Sequence, residues 1–98
     1  MFVTTLPGAM EASAAGLQGI GASVVAGNSA AAAPITGVIP PAPEPTSVLL
    51  AAALATHAGV YQVTQALGTL LHEMFVATMD VSAGSYAASE GFNAIAMV

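Results

Sequence analysis

No proline interrupts the chain between Ser47 and Gly84, and this is the longest run that reads as a single helix. Its strongest apolar side chains fall at Leu49, Ala53, Val60, Val63, Leu67, Leu70 and Met74, spaced mostly by three and four, the period of one helix face. Leu50, Leu54, Tyr61, Leu71 and Phe75 form a second row about 100° around the axis from the first. The combined stripe is wider than one neighbouring helix covers. An excess of that kind predicts association with another protein rather than catalysis.

The chain before it supplies one partner helix. Thr5 offers a capping hydroxyl, and Pro7 sits in the first turn, where a missing N–H costs nothing. Leu6, Met10, Ser13, Leu17, Ile20 and Val24 then alternate steps of four and three, a narrow coiled-coil-like seam. The glycines scattered from Gly8 to Gly27 each weaken a helix by about 0.5–1 kcal/mol relative to alanine, so this one would not persist alone in water. Abundant Gly and Ala also let a second helix approach closely; a GC-rich genome would produce the same bias. Pro34 and Gly37 mark the end of this helix or a kink in it.

Four prolines lie between Pro40 and Pro45, and neither helix can continue through them. A stiff connector this short folds two helices back antiparallel, and making the turn accounts for it better than service as a proline-rich ligand. Thr46 or Ser47 can cap the second helix, and Gly84 is a plausible stop. At 1.5 Å per residue that helix is about 55 Å long and projects as a rod. The expected organisation is a first helix at about 6–33, a connector at about 34–46, a second helix at about 47–83, a segment at 84–90 and a flexible tail at 91–98.

Composition excludes several partners. Of 98 residues none is Lys or Arg, and the five acids Glu11, Glu44, Glu73, Asp80 and Glu90 give a formal charge of −5. A chain with no cation cannot neutralise phosphates, so nucleic acid and anionic membrane surfaces are not expected partners. Hydrophobic residues make up 56% of the chain, yet much of that is alanine, so the core is thin. There is no cysteine, hence no disulfide or thiolate site. Met1 to Pro7 lack the positive region of a cleavable signal peptide, so any export takes another route. The charge-free runs Ala12–Pro43 and Pro45–His72 are long enough to span a bilayer, but Gln18, Asn28, Pro34, His57, Gln62 and Gln65 interrupt them and no Lys or Arg flanks them. Membrane contact is therefore open but not predicted.

No catalytic constellation is legible. His57 and His72 would stand about 22 Å apart along one helix, too far to share a metal ion. Gly27-Asn28-Ser29-Ala30-Ala31 lacks the second glycine and the preceding strand of a nucleophile elbow. Gly16-Leu17-Gln18-Gly19-Ile20-Gly21 lies within a helical pattern and follows no strand, which argues against a phosphate loop. No enzyme activity, cofactor or metal is expected.

Several strings nevertheless resemble one family along nearly the whole chain. They are Phe2-Val3-Thr4-Thr5-Leu6-Pro7, Ile20-Gly21, Asn28 to Pro34 and Thr36-Gly37-Val38-Ile39-Pro40-Pro41. Further on come His57, Tyr61-Gln62, His72-Glu73-Met74-Phe75-Val76 and Ser85-Tyr86-Ala87-Ala88-Ser89-Glu90. Together these resemble the PE proteins of mycobacteria. The family is named for a Pro-Glu pair, and here Pro7 is followed by Gly8, so the family motif is degenerate. A glutamate at position 8, three residues after Thr5, would complete a capping box that Gly8 cannot.

The resemblance implies an all-α fold, two long antiparallel helices forming a helical hairpin that is half of a bundle completed by a partner. That partner would be a PPE-family protein. It further implies a PE domain over 1–90 and export by a type VII secretion system, through a Tyr-x-x-x-Asp/Glu signal that Tyr86 and Glu90 match. The protein would be secreted or held at the cell envelope, and any host-facing activity would belong to the complex. The candidate partner interface is Leu17, Ile20, Val24, Leu50, Leu54, Tyr61, Leu67, Leu71 and Phe75. The alternatives are an envelope-associated hairpin without an obligate partner and an orphan, degenerate module of the family.

Overall fold

The computed structural model describes residues 3–97. Met1, Phe2 and Val98, the last of them in the expected flexible tail, lie outside the described residues. The fold is all-α: helix α1 is Pro7–Thr36 and helix α2 is Pro45–Ala96, with no strand among the described residues.

Both helices begin on a proline, and neither is capped as the sequence suggests. The Leu6 carbonyl accepts from the Met10 amide at 3.3 Å, which makes Leu6 the N-cap and places Thr5 one residue outside the helix. The Glu44 carbonyl accepts from the Val48 amide at 3.1 Å, so Glu44 caps α2 in place of Thr46 or Ser47. Pro45 then fills the first helical position, where a fixed φ helps and no donor is missed. Buried Ser47 donates its hydroxyl to Glu44 Oε1 at 2.6 Å and locks that turn.

The helix ends also move. Pro34 lies inside α1, which continues to Thr36 and closes with the Gly37 amide on the Ala33 carbonyl at 2.9 Å. Pro34 forfeits one ladder bond only a turn from the end, where few bonds remain to break. Gly84 does not stop α2, which passes through it and through Gly91 to Ala96. A glycine ends a helix by taking a left-handed conformation, and no described glycine has a positive φ.

Contacts divide the chain into two compact units. The unit Ala22–Leu70 holds the second part of α1, the connector and the first part of α2. The other, Met1–Gly21 with Leu71–Val98, pairs the first part of α1 with the last part of α2. Pairing there is antiparallel, since Thr5 meets Glu90 and Leu17 meets His72. Each unit is a two-helix hairpin layer.

In both units the less exposed positions of each helix follow a heptad. On α2 they include Ser47, Ala51, Ala55, Ala58, Gln62, Gln65 and Thr69 in one unit, and His72, Val76, Met79 and Ala83 in the other, at steps of three and four, with Glu90 a further seven residues on. On α1 they include Pro7, Met10, Ala14, Leu17 and Gly21, then Asn28, Ala31 and Ile35. The apolar seam expected at Leu6, Met10, Ser13, Leu17, Ile20 and Val24 is therefore half right. Met10 and Leu17 lie in it, whereas Leu6, Ser13 and Ile20 stand one residue off, beside Pro7, Ala14 and Gly21. The buried apolar residues are Ala14, Ala51, Ala58, Val76 and Ala83, so the helices meet on small side chains.

Candidate functional site

Large apolar side chains are on the outside. Leu49, Val60, Val63, Leu67, Leu70 and Met74 of the first row are exposed, and so are Leu50, Leu54, Tyr61, Leu71 and Phe75 of the second. At 100° per residue the second row precedes the seam by one residue, and the first row follows it by one or two. The middle of the combined stripe thus points away from α1. On antiparallel right-handed helices, residues one step before each seam share a side of the pair. In the unit containing His72, Ile20 therefore joins Leu71 and Phe75 on one face. Val24 holds a seam position in the other unit and is still 50% exposed. Of the candidate interface, Leu17 alone is half-buried in the seam; the other eight residues are exposed.

Polar groups also cross the seam. Tyr61 donates its hydroxyl to Asn28 Oδ1 at 2.7 Å, Asn28 Nδ2 donates to Gln65 Oε1 at 3.2 Å, and Gln65 Nε2 donates to Gln62 Oε1 at 3.3 Å. The relay stops at Gln62 Nε2, which is enclosed without a protein acceptor. In the other unit His72 Nε2 lies 2.7 Å from the Leu17 carbonyl, and since a carbonyl only accepts, that nitrogen carries the proton. The ring fits because residue 21 is glycine: a Cβ there would stand 2.9 Å from His72 Cδ2. Sequence reasoning weighed His72 as a metal ligand and as part of a family string, and missed this fit. Gly21 falling on the α1 heptad opposite a large polar residue was the available signal.

Tyr86 and Glu90 lie within α2, not in a segment after it. Tyr86 is exposed, whereas Glu90 is half-buried and bonded. Glu90 Oε1 accepts from the Thr5 amide at 3.0 Å and from the Thr5 hydroxyl at 2.8 Å. Those two bonds, the amide's first, hold its carboxyl below the usual glutamate range against the opposing effect of burial. Beside it a groove is lined by Val3, Thr4, Asn93, Ala94, Ala96 and Met97. Pro7 opens α1, and at Gly8 an added side chain would meet nothing within 4 Å. His57 and Glu73 are exposed, and no group of three His, Cys, Asp or Glu capable of holding a metal exists among the described residues.

Known sequences resemble the whole of this arrangement. The family model described as PE family matches residues 3–93. The PE family protein PE13 of Mycobacterium tuberculosis is 52% identical over 95 residues, covering 97% of this chain and 96% of that protein. PE8 of the same organism is 41% identical over 97% of this chain and 34% of its own length. The PE-PGRS family protein PE_PGRS33, also from M. tuberculosis, is 43% identical over 95% of this chain but only 20% of its own length. The chain thus matches nearly all of one relative and about a third or less of the other two.

Proposed function

The chain belongs to the PE family, and from that premise we propose that it is a non-enzymatic, secreted subunit that pairs with a PPE-family protein through the outer face of α2. The observation that carries this reading is the exposure of both apolar rows while alanines fill the seam. An apolar face of that size in water marks an interaction surface. A PPE-family helical partner laid along α2 would complete a bundle of which this hairpin is half. Export by a type VII system, with Tyr86 and Glu90 as the signal pair, would bring the complex to the envelope or the medium. The PE domain on this reading reaches at least Glu90.

Circular dichroism of the chain alone and after co-expression with PPE-family proteins tests it. Weak, non-cooperative helicity alone and a sharp melt in one complex is the expected result. A stable monomer that melts cooperatively would overturn it. One observation favours a second reading: α2 is long and apolar enough, by length and composition alone, to cross a membrane. On that reading the chain would partition with membranes in the absence of any PPE protein.

A further inference from the structure

Glu90 is both the acid of the Tyr86–Glu90 pair and the group that holds the start of α1. The first turn of α1 contains no acidic residue, and Gly8 has no side chain to supply one. Helix N-termini leave amides unpartnered and carry partial positive charge, so a carboxylate is stabilising there. In this chain the carboxylate comes from 85 residues away, and it takes both donors of Thr5.

We infer that Glu90 is a tertiary clasp that closes the entry to α1 in place of a local acidic residue, and that a reader requiring both carboxylate oxygens of the Tyr86–Glu90 pair must first displace Thr5 from Oε1. The second half rests on the proposed export role of that pair; the first does not. Tyr86 stays exposed for recognition while one oxygen of its companion acid, Oε1, is occupied. Two-oxygen reading of the pair therefore loosens residues 5–10, and tightening those residues withholds Oε1. None of the groove residues Val3, Thr4, Asn93, Ala94, Ala96 and Met97 carries a titratable side chain. Tyr86 on α2 and Glu11 on α1 are the nearest titratable groups along each helix.

Amide hydrogen exchange on the full chain, alone and in its co-purified complex, tests the clasp. Glu90→Ala should speed exchange of the Thr5 amide on the order of tenfold, with a smaller rise at Ala9 and Met10. Adding Gly8→Glu to that variant should restore protection at Ala9 and Met10 but not at Thr5, because residue 8 replaces the charge and not the tether. Should Glu90→Ala fail to fold, Thr5→Val removes only the hydroxyl bond and is expected to speed the residue 5 amide severalfold. Exchange within about twofold of the parent chain in Thr5→Val and in every folded Glu90 variant overturns the clasp. Export assays separate the two halves. Thr5→Val exported better than the parent, with Glu90→Ala not exported, supports the masking. Altered exchange with parent-level export of Glu90→Ala removes the export role and leaves the clasp.

Discussion

A methyl group on Gly21 would stand 2.9 Å from His72 Cδ2 and 3.0 Å from Nε2, so the ring could stay only by giving up its bond to the Leu17 carbonyl. Gly→Ala inside a helix ordinarily gains about 1 kcal/mol, and losing one such hydrogen bond costs about 0.5–1.5 kcal/mol. Gly21→Ala is therefore expected to show no net gain in denaturant melts of the co-purified complex, while in a His72→Ala background the same change gains about 1 kcal/mol. Equal effects in both backgrounds would mean that residue 21 does not answer to the imidazole. Glu90 gives a second test at this scale. Its carboxyl is depressed in the folded chain by the Thr5 bonds, so its contribution is full above the unfolded carboxyl's range and is lost as pH falls through the folded value. Hydrogen exchange at Thr5 should therefore lose its protection below the ordinary glutamate range in the parent chain, and Glu90→Gln should flatten that dependence. These residue contacts were the least legible part of the sequence. Gln65 looked like a mere interruption of a charge-free run and His72 like a failed metal ligand, because periodicity reports where large apolar residues fall and is silent about which face a polar residue serves.

The existence of two helices was legible, and most of their ends were not. The proline cluster guaranteed a break, and the run from Ser47 guaranteed a long second helix. Gly84 misled because a helical glycine and a terminating one are the same letter. What separates them is whether the following residues have something to pack on, and Glu90 is bonded to Thr5 beyond it. The side of the seam was misread for a related reason. Leu6 and Ile20 are larger than Pro7 and Gly21, but close helix packing favours the smaller residue. Gly84→Ala tests the helix end directly. A Cβ there meets nothing within 4 Å, so as a helix-interior position it should gain about 0.5–1 kcal/mol in thermal melts of the co-purified complex. At a left-handed cap the same change would destabilise instead, so a lowered melting temperature would restore the stop at Gly84.

For the whole molecule the deciding quantity is surface. A globular protein of 9.5 kDa leaves about 5,000 Å² accessible by the usual scaling, and this chain leaves 6952 Å². The excess of about 1,900 Å² is roughly twice the ~800 Å² that one partner buries in a standard protein–protein interface, and α2 contributes to it with leucines, methionine and phenylalanine. Alanine seams give little hydrophobic stabilisation, so the apolar free energy of this protein is mostly unspent in the isolated hairpin. Leu67 and Phe75, 59% and 56% exposed, should then matter little to the hairpin and much to its complex. Leu67→Glu or Phe75→Glu is expected to leave the helicity of the chain unchanged while costing about 2–4 kcal/mol of pairing, enough to abolish co-purification with the PPE-family partner. Pairing at full yield would take the outer face of α2 out of the interface. Loss of helicity in the isolated chain would mean instead that these side chains hold the hairpin itself together.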